Sequence, residues 1–550
     1  MKHSLRLLAA AIVAAILPMP ALACTGLLVG KNASADGSVM ISYAADSHTL
    51  YGELYYYPAA DHAHGAQRQI IEWDTNRPLG YIPEIAHTYA VVGNMNEHQV
   101  AITESTWGGR EELATPNGII DYGSMIYIAL QRSKTAREAI KVMTDLVAEY
   151  GYASSGESFS IADKNEAWVL ELIGKGAAEK GAVWAAFRLP DNAITAHANQ
   201  ARIQQINFKD KKNWLYSKDV VSFAKKMGYY SGKDADFSFQ QAYNPYTPGG
   251  LRGCEARVWA FFNRFSDNMK QYEAFVRGDL NAPNQPLPLY IVPDRKVSVA
   301  DMRSMMRDHY EGTSMDMTKD VGAGPYKCPY RWRPMDFEVD GKTYVNERAI
   351  ATQQTGFVLV AQLRHWLPDE GGGILWFGVD DANTAVFTPV YCSVLNTPEC
   401  YRVGNGDMMH FSWTSAFWIH NWVANMAYAR YEPMMKDIQP LRDGLENRFD
   451  SEIPTIDAQA IELLKANPQD ARRFLTEYSS KTADNATAQW KQLGEYLMVK
   501  YMDGNLKKEE NGQFKTNGFG LSAMPDFPGY SPEYYRHIAE TTGDQLILPE

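Results

Sequence analysis

A cysteine, Cys24, stands directly behind a segment laid out like an export leader, and a chain that starts on a chemically useful residue must fold so as to hold that residue in place. Lys2 and Arg6 charge the leader's start, residues 7–17 are its apolar stretch, and Ala21-Leu22-Ala23 is a small-x-small cleavage site. Cutting after Ala23 would expose a thiol and an α-amine on one residue. Such a residue carries its own base, because the amine can take the side chain's proton. Two other readings of the same residues remain open. One is a secreted chain whose first residue merely happens to be cysteine. The other is a lipid-anchored envelope protein acylated on Cys24, which Leu22 and Ala23 fit, although alanine rather than leucine at position 21 favours the soluble cut.

Without residues 1–23 the chain keeps 527 of its 550 residues, ample for a large core. Hydrophobic residues at 45% against 21% charged, with 13 Trp and 32 Tyr, describe packed structure rather than a solvated tail. The formal charge of −12 becomes −14 once Lys2 and Arg6 leave, which argues against nucleic acid or anionic lipid as partner. The longest uncharged stretch beyond the leader, 411–429, contains His420, Asn421 and Asn425 and reads as a buried helix, not a membrane span. Five cysteines leave at least one unpaired in an exported monomer, and Cys24 is the natural odd one. Cys392 with Cys400, and Cys254 with Cys328, are conceivable bridges, but four reduced, buried cysteines fit equally. No Cys or His spacing suggests zinc, and His62 and His64 read as surface residues, so neither cofactor nor metal is expected.

Hairpins dominate the first part of the mature chain. Runs at 24–29 and 39–43 flank the turn-rich 31–37, which places Cys24 at a strand end. Further pairs are predicted at 89–92 with 100–103, joined by Asn94-Met95-Asn96-Glu97, and at 158–162 with 167–172. Strand candidates follow at 183–187 and 193–196, and later at 357–363, 374–377 and 386–390. Met125, Ile128, Ala129, Ala136, Ala139, Ile140, Met143, Leu146 and Val147 recur at helical spacing, so 124–150 reads as one or two helices covering a sheet. Helices are also predicted at 417–431, 457–466 and 486–501. The class is α+β, with two packed antiparallel sheets and helices outside. The expected division is a leader at 1–23, a core at 24–400 and a mainly helical extension at 401–550 packed on it.

Motifs along the whole mature chain resemble those of the dipeptidase family of N-terminal-nucleophile cysteine peptidases (peptidase family C69, secernin-related), more distantly similar to penicillin V acylases and bile-salt hydrolases. They include Cys24-Thr25-Gly26, Lys31-Asn32-Ala33-Ser34-Ala35-Asp36-Gly37-Ser38, Asn96-Glu97-His98-Gln99-Val100-Ala101-Ile102, Thr135-Ala136-Arg137-Glu138-Ala139-Ile140, Ser155-Gly156-Glu157-Ser158, His197-Ala198-Asn199-Gln200 and Glu311-Gly312-Thr313. The resemblance implies an αββα sandwich and a thiol that acylates on a peptide carbonyl, with the α-amine as base. It also implies roles for three further residues. Asp46, in Asp46-Ser47, would orient the α-ammonium, where the bland reading is a turn residue. Asn199 would donate to the oxyanion, an interaction worth on the order of 3 kcal/mol, where the bland reading is an asparagine in a turn. Arg257 would support the nucleophile, where the bland reading is an ion pair with Asp46 or another acid that could hold at the same time, with Arg252 close by in sequence.

A second oxyanion donor is expected near Ser105 or Thr106, or from a backbone N–H. The chain departs from the family's usual wording at Tyr43-Ala44-Ala45, which puts substrate contacts in doubt more than the nucleophile. His197, His309 and His420 sit in apolar settings and read as satisfied core histidines. The expected protein is thus a periplasmic or secreted cysteine dipeptidase acting on dipeptides or short peptides, without cofactor or membrane span, its self-association undetermined. An amidase or acylase on N-acyl amino acids is the enzymatic alternative, and a non-catalytic lipid-anchored envelope protein the other.

Overall fold

The computed structural model describes residues 24–114 and 116–549, so the leader reading, on residues 1–23, lies outside the described residues. Two antiparallel sheets organise the first 400 residues. The strands that build them are, in chain order, β1 (Gly26–Val29), β2 (Val39–Asp46), β3 (Tyr56–Tyr57), β4 (Val91–Val92), β5 (Met95–Asn96), β6 (Ala101–Trp107), β7 (Gly156–Ala162), β8 (Ala167–Gly174), β9 (Ala182–Arg188), β10 (Ile194–His197), β11 (Trp214–Tyr216), β12 (Thr355–Leu363), β13 (Gly373–Val379) and β14 (Thr388–Tyr391). A six-stranded sheet runs in the order β10-β1-β2-β12-β13-β14 and an eight-stranded sheet in the order β11-β9-β8-β7-β6-β5-β4-β3.

The expected first hairpin is present, with Leu28 opposite Ile41 and Val29 opposite Met40. Its strand β2 pairs along its full length with β12, more than 300 residues later, and all of its residues are buried. Strand β2 also touches β6 and β7 of the other sheet, so the two sheets meet face to face across an apolar interior. The strands at 183–187 and 193–196 are near neighbours in sequence, yet β9 and β10 belong to different sheets. One detail differs from the sequence reading: Met95-Asn96, expected within a connection, forms β5 and pairs with both β4 and β6.

The helical stripe at 124–150 resolves into α1 (Tyr122–Arg132) and α2 (Ala136–Tyr150). The break falls at Ser133-Lys134-Thr135, where the Thr135 hydroxyl accepts from the Glu138 N–H at 3.2 Å, a side-chain N-cap. Ala136, Ala139, Ile140, Met143, Leu146 and Val147 are all buried against the eight-stranded sheet, in a second core with Ile102, Phe159, Ile161 and Leu170. On the six-stranded side lie α3 (Ala256–Phe265), α4 (Ala416–Ala429), α5 (Tyr431–Ala466) and α6 (Pro468–Lys500), with α3 against β10, α4 against β13, and α5 and α6 against β14.

Helix α5 is much longer than the expected 457–466. Pro440 and Pro454 lie inside it, and proline normally ends a helix by removing a donor; burial of Ile438, Leu445, Phe449 and Ile453 against the core overrides that tendency. Among the described residues no cysteine is bonded to another, and no helix is long and apolar enough to cross a membrane.

Candidate active site

Cys24 lies two residues before β1, beside the end of β2. Thr25 exchanges two backbone hydrogen bonds with Ala44, N–H to O at 3.2 Å and the return bond at 2.9 Å, which sets Cys24 next to Ala45 and Asp46. Gly26 is required here for space: a Cβ would come within 2.7 Å of the His197 ring. The Cys24 side chain is buried and lines a cavity of about 80 Å³ together with Tyr43, Ala45, Asp46, Ser47 and Glu104. The thiol donates to Glu104 Oε1 at 3.3 Å, and Tyr43 donates its hydroxyl to the same oxygen.

Burial pushes the thiol well above its usual range, and the negative charges of Glu104 and Asp46 add to that; the Asp46 backbone N–H and the Tyr43 hydroxyl act the other way. A thiol in this setting stays protonated until a base removes its proton. Glu104 is itself raised by burial, and Glu157 behind it is raised further by burial and by the charge of Glu104. Two carboxyls crowded into one buried space resist ionising together. Thr106 donates its hydroxyl to Glu157 Oε1 at 2.7 Å.

Asp46 closes β2 and is fully enclosed. Its Oδ2 accepts from Arg348 Nη2 at 2.6 Å and its Oδ1 from the Thr355 hydroxyl at 2.7 Å. Burial raises its carboxyl, while Arg348 and Thr355 pull it back toward the ionised form. The ion pair foreseen between Arg257 and an acid is thus made by Arg348 instead.

Arg257 is bonded to neutral acceptors. From α3 it donates to the Cys24 carbonyl oxygen at 2.8 Å, to Thr25 Oγ1 at 2.8 Å, to Ala198 O at 3.2 Å and to Asn199 Oδ1 at 2.7 Å. One guanidinium thereby ties the first strand to the turn after β10. Arg252, its neighbour in sequence, turns away to Glu347 at 2.7 Å. Asn199 sits in the left-handed region at φ 58°, a conformation asparagine tolerates better than most residues. Its amide nitrogen donates to Thr106 O at 2.5 Å.

Ser105 and Thr106 have other engagements: Ser105 Oγ lies 2.6 Å from His197 Nδ1, and Ser160 Oγ lies 2.7 Å from Nε2. His197 is buried, and burial followed by the charges of Arg202 and Arg257 pulls it down to about 3, so its ring is neutral. It is a satisfied core histidine. His420, stacked on Trp490 and donating from Nδ1 to Ala416 O at 2.8 Å, is likewise pulled down by burial, to about 4. His309 differs: it pairs with Glu311 at 3.1 Å and is raised, because Glu311 outweighs burial.

The structure therefore gathers Cys24, Asp46, Asn199 and Arg257 around one strand end. It adds Glu104, Glu157, Arg348 and Thr355, which the sequence reading did not single out. Glu104 had one visible signal, an acid directly after the apolar start of β6, and acids are rarely buried without a task.

A model of peptidase family C69 matches residues 23–69 and 55–443. The chain belongs to peptidase family C69. It is accordingly a peptidase, a hydrolase of peptide bonds. It is similar to a "Probable dipeptidase" of Latilactobacillus sakei, 27% identical over 84% of this chain and 92% of the relative. A "Probable dipeptidase" of Salmonella dublin is 28% identical over 67% and 81%, and a "Probable dipeptidase B" of Streptococcus pyogenes serotype M1 is 22% identical over 88% and 94%.

Proposed function

We propose that this peptidase is an exported cysteine dipeptidase with the αββα sandwich of an N-terminal-nucleophile hydrolase, Cys24 being the residue freed when its leader is cut. The observation that carries the reading is the thiol of Cys24 at a strand end, facing a small cavity, with its carbonyl held by Arg257. In the proposed reaction the α-amine takes the thiol proton and the sulfur attacks the substrate carbonyl. The amine then returns that proton to the leaving nitrogen as the C–N bond breaks, giving an acyl-enzyme and a free amino acid. Water, deprotonated by the same amine, attacks the thioester and releases the second product.

In this scheme Asp46 orients the ammonium and Asn199 supplies an amide to the oxyanion. No step calls on a cofactor. The relatives' names, probable dipeptidase, support short peptides as substrates. The narrow cavity favours them over long-chain acyl amides.

The test is the mass of the secreted protein's first residue, followed by turnover of a dipeptide panel beside an N-acyl amino acid panel. The expected result is an unmodified terminal Cys24 and cleavage of dipeptides, abolished in Cys24→Ala with the fold retained. A fully active protein that begins elsewhere, or one lipidated on Cys24, overturns the mechanism; cleavage of acyl amino acids alone overturns the substrate.

A further inference from the structure

The second oxyanion donor expected near Ser105 or Thr106 is not found there. Their hydroxyls are engaged with His197 and Glu157, and neither residue lines the cavity that Cys24 faces. Tyr43 does line it, and its hydroxyl oxygen lies 3.8 Å from Cys24 Sγ. Of the other hydroxyls in that wall, Tyr122's donates to Asp74 at 2.8 Å, while those of Ser47 and Thr49 lie 3.1 Å from one another at the exposed rim.

The strand puts the phenol in that place. Side chains alternate between the faces of β2, so Tyr43 and Ala45 share the face toward the cavity. The Tyr43 ring is buried and packs edge-on against Phe357 of β12, centroid to centroid 5.6 Å, which fixes where its hydroxyl stands. Ala45 beside it is small and leaves room for a substrate carbonyl. Tyr43 opens the segment where the chain departs from the family's usual wording, so the resemblance assigns it no role. Burial, then the charges of Cys24 and Glu104, push the phenol well above its usual range, and it keeps its hydrogen at neutral pH.

We propose that the Tyr43 hydroxyl is the second oxyanion donor of this peptidase. The inference rests on the Cys24 mechanism above and adds a catalytic group to it. When the sulfur bonds to the carbonyl carbon, the π pair of the C=O bond moves onto oxygen, the thiol's proton having gone to the α-amine. That oxygen sits two bonds from the sulfur, and a donor belongs about 2.7–3.1 Å from it. A hydroxyl 3.8 Å from Sγ satisfies both conditions. In the resting site the hydroxyl donates to Glu104 Oε1. Turning to the oxyanion needs only rotation of its hydrogen about the C–O bond, with no heavy atom moved. Glu104 is raised by burial, and a carboxyl drawn toward its neutral form releases that hydrogen at less cost than a carboxylate. The bond is stronger to the charged tetrahedral oxygen than to the ground-state carbonyl, and that difference lowers the barrier.

The experiment measures Tyr43→Phe beside the unaltered mature enzyme, on alanyl-alanine and with alaninal, whose aldehyde carbon takes the Cys24 sulfur and gives the same oxyanion without a leaving group. The expected result is a kcat lower by about 100-fold or more with KM changed little, and alaninal bound more weakly by a similar factor. The high-pH plateau rate of Cys24 alkylation by iodoacetamide should stay the same, which shows the site folded. Normal kcat and normal alaninal affinity in Tyr43→Phe overturn the proposal. Tyr43→Phe is repeated on a Glu104→Gln background to separate a direct bond from support of Glu104. There the loss of alaninal affinity is expected to persist, and its disappearance overturns direct donation. Where Tyr43→Phe does not fold, difluorotyrosine at position 43, a stronger donor of nearly the same shape, is expected to tighten alaninal binding, and unchanged binding overturns the proposal. An unaltered enzyme that neither cleaves alanyl-alanine nor binds alaninal loses the dipeptidase reading as well, whereas one that does both, with Tyr43→Phe its equal, loses the donor alone.

Discussion

The guanidinium of Arg257 holds Cys24 by its backbone: Nη1 donates to the Cys24 carbonyl oxygen at 2.8 Å, across 233 positions of sequence, while Nη2 holds Asn199 Oδ1 at 2.7 Å. This geometry differs from an arginine that stabilises the Cys24 thiolate by contact, because it meets Cys24 through the backbone carbonyl, and its bonds to Gly253 O, Thr25 Oγ1, Ala198 O and Asn199 Oδ1 also go to neutral oxygens. It fixes where the sulfur starts and where the amide of Asn199 lies.

Replacing Arg257 with methionine leaves those buried oxygens without a donor, and each such loss costs about 1–3 kcal/mol. Arg257→Met is expected to lower the melting temperature and to reduce kcat by about 100-fold, with KM changed less, since positioning errors near 1 Å cost on that order. Arg257→Lys, which can serve one or two of the acceptors, should recover part of both. Calorimetry with steady-state kinetics on a dipeptide checks this, and an Arg257→Met enzyme with normal kcat contradicts it.

Glu104 faces the thiol and its charge opposes ionisation of Cys24. Removing that charge should move the thiol downward. The rate of Cys24 alkylation by iodoacetamide, followed against pH, is expected to rise at lower pH in Glu104→Gln than in the unaltered protein. This readout does not depend on substrate turnover. An unchanged or upward-shifted profile shows that burial alone sets the thiol.

Arg348 and Asp46 form a buried pair with Thr355 as a second donor to the acid. Removing one partner strands the other charge, a loss of about 3–5 kcal/mol in buried pairs. Arg348→Met is expected to destabilise the protein on that scale. Arg348→Met combined with Asp46→Asn should recover much of the stability without recovering activity, because Asp46 is assigned to the α-ammonium. Denaturant titration of both variants decides; additive losses in the double variant show that the two residues act apart.

How much of this was legible in sequence follows from what each residue depends on. The hairpin of β1 and β2, the stripe of α1 and α2 and the placement of Cys24 at a strand end depend on neighbours in the chain, so local periodicity carries them. Glu104, Glu157 and Arg348 depend on partners far away: Arg348 meets Asp46 across 302 positions and Glu104 meets Cys24 across 80. No spacing rule brings such pairs together. Tyr43 is intermediate. It stood out as a departure from family wording, but its contact with Glu104 requires the packing of β2 on β6. The length of α5 was hidden by Pro440 and Pro454, which read locally as breaks and are outweighed by burial.

Asp380 permits a test of stability that is separate from catalysis. It is buried, burial pushes its carboxyl up to about 8, and its Oδ1 accepts from Asn421 at 3.0 Å. In the unfolded chain it titrates near its model value of 3.8. Between those values the folded form retains a proton that the unfolded form has lost, so stability is fully present at pH 3 and declines as pH rises toward 8, by up to about 1.4 kcal/mol per unit. Asp380→Asn keeps the acceptor, cannot ionise, and suits the left-handed backbone at φ 64°. The variant is expected to match the unaltered protein near pH 4 and to exceed it in unfolding free energy at pH 7.5. Denaturant titrations at the two pH values measure the difference, and equal stability gains at both would mean that Asp380 is already ionised in the folded state.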